Sequence, residues 1–125
     1  MKIQNTNLSR LISLYNKLSS VDFPSAKQAI AHIKDAKRIQ LASDDIEELR
    51  KIIVNKYKLK EGAINEESPN VRKADEEYIK VLLESTELDL TEFPVGIIEQ
   101  VRVSPLEIML LEDLKLYKFE SDVVE

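Results

Sequence analysis

The side chains in this sequence that could do chemistry are carboxylates, amines and a single histidine, His32. A catalytic or metal-binding histidine needs convergent partners, and the chain has no second histidine and no cysteine. The two glycines, Gly62 and Gly96, are too far apart to cradle a phosphate. Adjacent acids on a helix, as in residues 75–77, point in different directions and favour solvated faces. We therefore predict that the protein is not an enzyme, has no cofactor or metal site, and carries His32 only as a helix flank residue.

Basic residues with one tyrosine form a first possible binding surface, at the end of a predicted long helix. Such a group could hold phosphates and stack a base. Cations at the C-terminus of a helix also complement the helix dipole. This surface gives an alternative hypothesis of nucleic-acid binding, through Arg50, Lys51, Lys56, Tyr57, Lys58 and Lys60.

Acidic residues in the second half of the chain form another possible surface. The net charge is −5, but residues 1–60 hold 12 Lys/Arg against 6 Asp/Glu, and residues 61–125 hold 6 against 17. Either the acidic half folds over the basic helix and neutralises it, or the two faces meet different partners. In the second case the acids predicted to contact a partner protein are Glu84, Glu87, Asp89, Glu92 and Glu99.

The element that must position these groups is a long helix over about residues 24–60. Its apolar residues from Ile39 to Ile53 follow the 3, 4, 3, 4 spacing of a helix packed on another helix. Pro24 fits the first helical position, Ser25 could cap the helix, and Gly62 is placed to end it. Residues 43–45 could either remain helical or begin a new helix.

Shorter helices are predicted on both sides of the long one. The first covers residues 7–19, with Asn5 or Thr6 as its N-cap. Ser68 and Pro69 start another, and Ser104 with Glu107 forms a capping box for the last. The apolar faces of these three helices are predicted to contain Leu8, Leu11, Ile12, Leu14, Tyr15, Leu18; Val71, Ala74, Tyr78, Val81, Leu82; and Leu106, Met109, Leu110, Leu114, Tyr117.

Strand signals are weaker. Residues 88–93 alternate apolar and polar side chains, which is typical of a half-buried strand, and could pair with residues 2–5. Residues 97–103 could form a further strand or a turn of helix before one. The predicted fold class is α+β, mostly α: one domain over residues 1–125, with one long central helix packed by shorter helices and a small antiparallel sheet of two or three strands.

The composition also bounds where the protein works. The absence of cysteine suits a reducing compartment. No apolar run approaches the roughly 20 residues needed to cross a bilayer, and the first residues lack a secretory apolar region. These features predict a soluble protein of the cytoplasm.

The order of several segments resembles a family of small bacteriophage and prophage proteins of unknown function from Gram-positive bacteria. The segments are a Met-Lys-Ile start, a long Lys/Glu helix with Lys56-Tyr57, an Asp-Glu-Glu helix (75–77), Glu-Leu-Asp-Leu (87–90) and the stretch 103–112. The resemblance implies a phage origin and a host bacterial cytoplasm, and it supplies no catalytic residues.

By analogy, small acidic phage proteins without enzyme motifs often bind a host protein. We therefore expect a modulator, in particular an inhibitor of a host protein such as an antiviral defence effector, that acts by occupancy rather than catalysis. Besides nucleic-acid binding, a second alternative is a phage assembly component that forms homo-oligomers through the long helix.

Overall fold

The computed structural model describes residues 1–57 and 69–117. Within these ranges the chain is mostly helical, with one long helix and a two-stranded antiparallel sheet, which confirms the predicted fold class. The elements in chain order are β1 (Lys2–Gln4), α1 (Leu8–Leu18), α2 (Ala26–Lys56), α3 (Pro69–Leu83), β2 (Ser85–Glu87) and α4 (Pro105–Asp113). None of the helices in the described ranges has an apolar stretch long enough to cross a membrane.

Helix α2 is continuous over 31 residues, so it does not break at residues 43–45. It is about 46 Å long at about 1.5 Å per residue. Ser25 is the N-cap, and its hydroxyl oxygen accepts a hydrogen bond from the Gln28 N–H. Pro24 therefore lies one residue before the N-cap, and the prediction that it takes the first helical position is wrong. The predicted end near residue 60 and the role of Gly62 lie outside the described residues.

Near its N-terminus, α2 buries polar residues rather than its largest apolar ones. Ile30 and Ile33 are half exposed, whereas His32 and Asp35 are buried beside Ile39. The buried positions 32, 35, 39, 42 and 53 and the partly buried position 46 are separated by three, four or seven residues. They therefore form one face of the helix, and two of them are polar. His32, predicted to be only a flank residue of the helix, instead belongs to its buried face. Leu49 of the predicted seam is also largely exposed.

The centre of the core is α1 rather than the long helix. Its apolar positions bury almost completely because the helix is covered by α2, α4 and the segment that follows β2. The core contains Leu8, Leu11, Leu14, Tyr15, Leu18, Ile39, Leu90, Phe93, Ile97, Ile98, Leu110, Leu111, Leu116 and Tyr117. Neither Asn5 nor Thr6 caps α1, because a single 3-10 turn over Asn5–Asn7 leads directly into it.

The sheet pairs β1 with β2, and Ile3 lies opposite Thr86. The prediction of a strand at residues 88–93 is therefore wrong, because the strand begins three residues earlier. Asn5 explains the register: its Nδ2 donates to the Val81 carbonyl at 2.7 Å, and its Oδ1 accepts from the Thr86 hydroxyl. This buried amide fixes the start of β2 against the end of α3.

The predicted first residues of α3 and α4 are confirmed. Pro69 begins α3, and Ser104 with Glu107 forms the capping box of α4; Ser68 lies outside the described residues. The predicted apolar face of α4 is partly wrong, since Leu106 and Met109 are exposed and Leu111 is buried instead. Residues 97–103 contain a 3-10 turn, Ile98–Gln100, and no strand.

Candidate protein-binding surface

A buried carboxylate on α2 holds a surface segment in place. Asp35 is only 2% exposed. Its Oδ2 accepts a hydrogen bond from the Thr91 N–H at 2.8 Å, and its Oδ1 accepts from Arg38 at 3.1 Å. Arg38 also donates to the Asp89 carbonyl at 3.0 Å. A charge is costly to bury unless it is paired and hydrogen-bonded. Asp35 meets this need while it holds the backbone at Thr91 directly and at Asp89 through Arg38.

We call residues 84–95 the acidic ribbon. Besides Asp35 and Arg38, hydrogen bonds to other segments of the chain anchor it. The Met1 carbonyl accepts from the Leu88 N–H at 2.9 Å, the Leu116 carbonyl accepts from the Phe93 N–H at 2.7 Å, and β1 pairs with β2. Apart from β2, the ribbon has no regular secondary structure. Its backbone is nevertheless held in place at several points, as is common for binding segments on a rigid scaffold.

The chain after the ribbon turns sharply at Gly96, whose φ of 86° lies in the left-handed region that favours glycine. The Tyr117 hydroxyl accepts from the Gly96 N–H at 2.8 Å and donates to the Glu99 carboxylate. The C-terminal end of the described chain thus fixes where the ribbon ends.

An aromatic cluster supports the ribbon from below. His32 stacks on Tyr15 and contacts Phe23 and Phe93. His32 Nε2 lies 3.1 Å from the Tyr15 carbonyl, so this nitrogen carries the proton and donates. Burial lowers the pKa of His32, although that hydrogen bond and the charge of Asp35 act in the opposite direction. Burial, with the Asp35 charge, raises the pKa of Tyr15. Both groups are therefore neutral members of the core near pH 7.

The structure places four of the five predicted acids, Glu84, Glu87, Asp89 and Glu92, on the acidic ribbon, and all four are exposed. Glu87 accepts from the Met1 amino group at 3.1 Å. Within residues 1–57 and 69–117, the carboxylates of Glu84, Asp89 and Glu92 have no ion-pair partner within 4 Å.

Glu99 lies beyond the Gly96 turn and is bonded to Tyr117, so it is separate from the ribbon. Val95, at the end of the ribbon, exposes most of its apolar side chain. The ribbon therefore presents carboxylates and one aliphatic group to solvent.

The basic end of α2 is partnered by carboxylates wherever the structure describes it. Arg50 donates to Glu47 at 2.7 Å, and Lys51 lies 3.6 Å from Glu48. Both pairs are exposed, and each contributes little stability. They nevertheless reduce the positive potential that a nucleic acid would meet. Lys58 and Lys60 lie outside the described residues.

Lys56 and Tyr57 both bond to Glu77 of α3, at 2.7 and 2.6 Å. These hydrogen bonds lower the pKa of Glu77 and raise the pKa values of Lys56 and Tyr57. The two residues thus join α2 to α3 rather than projecting side by side toward a ligand.

A second ion pair joins the basic and acidic halves of the chain. Lys17 lies 2.8 Å from the buried Glu107, which also accepts from the Ser104 N–H. Burial alone would raise the pKa of Glu107, but the hydrogen bonds from Lys17 and Ser104 outweigh it and lower this pKa. Together with Lys56 and Glu77, this pair favours the interpretation in which the acidic half neutralises part of the basic half.

Sequence reasoning missed Asp35 and Arg38, the two residues that hold the ribbon. A signal was present, because extending the 3, 4 spacing backward from Ile39 reaches Asp35 and then His32. A polar side chain on a helix face that is predicted to be buried indicates a hydrogen-bond partner in the interior. The identity of that partner, the Thr91 N–H, could not be read from the pattern.

No protein-family model matches the chain, and no curated protein or solved structure is significantly similar to it. Among the described residues, no group of three or more His, Cys, Asp or Glu side chains is arranged to hold a metal ion.

Proposed function

We propose that this protein binds another protein through the acidic ribbon and acts by occupancy rather than catalysis. The observation that carries the proposal is the use of buried Asp35 to fix the backbone of residues 89–91 while Asp89 and Glu92 face solvent. A preorganised segment loses little conformational entropy on binding. Exposed carboxylates on it suit a basic surface of the partner.

The partner class follows from the resemblance to phage proteins. In this proposal the protein is phage-encoded and works in the cytoplasm of a Gram-positive host. Its partner is a host protein, such as an antiviral defence effector, which it inhibits by covering a basic site. Carboxylates that face solvent at fixed positions would compete with a phosphate backbone for such a site.

The test is an affinity pull-down from a Gram-positive host lysate, with and without nuclease. We expect a specific host protein to be retained in both arms. The variant Asp89→Lys/Glu92→Lys should lose that protein, whereas the matched double reversal Glu112→Lys/Asp113→Lys on α4, also exposed, should retain it.

Equal retention by both variants would refute the ribbon as the contact surface. Retention that disappears with nuclease, and weakens steeply as salt rises, would instead support nucleic-acid binding. The basic end of α2 would then be tested with Arg50→Glu and Lys51→Glu.

A further inference from the structure

The solvent face of α2 carries large aliphatic side chains in a symmetric arrangement. Leu41 is 65% exposed. Ile30 and Ile52, 51% and 59% exposed, lie eleven residues before and after it. Eleven residues are just over three helical turns, so these three side chains fall in one line along the helix, about 33 Å in total. Ile33 and Leu49, also exposed, flank the line eight residues before and after Leu41.

The charges on this face follow the same symmetry with opposite signs. Lys34 lies seven residues before Leu41 and Glu48 seven residues after it. Lys37 lies four residues before Leu41 and Asp45 four residues after it. All four side chains are exposed. The face is therefore basic on one side of Leu41 and acidic on the other.

This pattern is self-complementary only when two copies run in opposite directions. Antiparallel helices that cross at Leu41 place Ile30 of each copy opposite Ile52 of the other. Lys34 then meets Glu48, and Lys37 meets Asp45. A parallel pair in register would instead set like charges against each other, which is destabilising.

We propose that two copies of this chain form a dimer through antiparallel α2 helices, with the two-fold axis at Leu41. Such an interface is isologous, because each copy contributes the same surface. The existing contact between Lys51 and Glu48, at 3.6 Å and largely exposed, is weak enough for Glu48 to exchange partners. The acidic ribbon lies on other residues, so this inference does not rest on the proposed function.

Sedimentation equilibrium tests the dimer. The wild-type chain should approach twice its 14.4 kDa mass as concentration rises. Leu41→Glu would bring two carboxylates together at the axis and should raise the dimer dissociation constant about a hundredfold. The matched control is Leu83→Glu, at an equally exposed leucine on α3, and should leave the constant unchanged. A monomeric wild type at every concentration, or a dimer insensitive to Leu41→Glu, would overturn the proposal.

Charge exchange tests the antiparallel register. Lys34→Glu and Glu48→Lys should each weaken the dimer about tenfold, since every dimer then contains two like-charge contacts. The double variant Lys34→Glu/Glu48→Lys restores opposite charges at both contacts and should recover wild-type affinity. Additive weakening in the double variant would refute this pairing.

Disulfide crosslinking gives a structural readout, since the chain has no native cysteine. Leu41→Cys should crosslink under mild oxidation because the two copies meet at the axis. Ile30→Cys should not, because its two sulfurs would lie about 33 Å apart in the antiparallel dimer. Efficient crosslinking through both positions would indicate a parallel dimer, and failure at position 41 would place the interface elsewhere.

Discussion

The imidazole of His32 lies parallel to the ring of Tyr15, with 5.2 Å between the ring centroids and 5° between the planes. The stack is buried, and Nε2 of His32 is near the Tyr15 carbonyl. Among the described residues, Nδ1 has no hydrogen-bond partner. A proton added to Nδ1 would therefore place a charge in a largely aromatic environment, with Asp35 as the nearby carboxylate.

This geometry makes stability depend on the protonation of His32. Its pKa is lower in the folded chain than in the unfolded one, so the unfolded state binds more protons just below pH 6.5. We expect the free energy of unfolding to fall as pH drops from 7.5 to 5.5, by at most about 1.4 kcal/mol per pH unit. Urea denaturation at a series of pH values measures this slope.

The control is His32→Phe, which keeps a ring between Tyr15 and Phe93. Because His32 is the only histidine, the variant should lose the slope in this range whatever its absolute stability. An unchanged slope in His32→Phe would show that other groups cause the pH dependence.

Removal of the Asp35 carboxylate should release the acidic ribbon. Asp35→Ala leaves the Thr91 N–H without its acceptor and Arg38 without its carboxylate partner, and should cost about 2–3 kcal/mol of unfolding free energy. The exposed Asp75→Ala on α3 should change stability by less than about 0.5 kcal/mol. Hydrogen exchange at Thr91 should accelerate in Asp35→Ala, and unchanged protection there would contradict the anchoring role.

The hydrogen bond between Asn5 and Thr86 can be measured with a double-mutant cycle. We expect Asn5→Ala and Thr86→Val to be coupled by about 1 kcal/mol, since each removes one partner of the same buried contact. Asn5→Ala combined with Thr91→Val should be additive, because Thr91 shares no hydrogen bond with Asn5. Additivity in both cycles would show that this contact does not set the sheet register.

A lysine that lies two residues after the end of α4 has a backbone conformation that glycine prefers. Lys115 has a φ of 56°, and the Leu116 N–H bonds to the Leu111 carbonyl as in a Schellman motif. Lys115→Gly should therefore raise the unfolding free energy by about 0.5–1 kcal/mol. Lys80→Gly, inside α3, should lower it by about 1 kcal/mol. Thermal denaturation compares the two, and a loss of stability in both would refute the argument.

The helices could be predicted from local features of the chain. The signals that start and continue a helix act within a few residues. Examples are the capping box of Ser104 and Glu107, the proline at the start of α3 and the spacing from Ile39 to Ile53. They therefore predicted the starts of α3 and α4, the continuity of α2 as one of two alternatives, and the mostly α class. The positions of the five predicted acids and of the basic residues could likewise be read from the sequence alone.

The contacts of these groups could not be predicted from local features, because their partners lie far away along the chain. The position of β2 depends on Asn5, more than 75 residues away in sequence, and the shape of the ribbon depends on Asp35, more than 50 residues away. The partner of Lys56 and Tyr57 is Glu77, on another helix. These are long-range hydrogen bonds of buried or partly buried polar groups. Periodicity records which face of a helix is buried, but it carries no information about which polar group lies opposite.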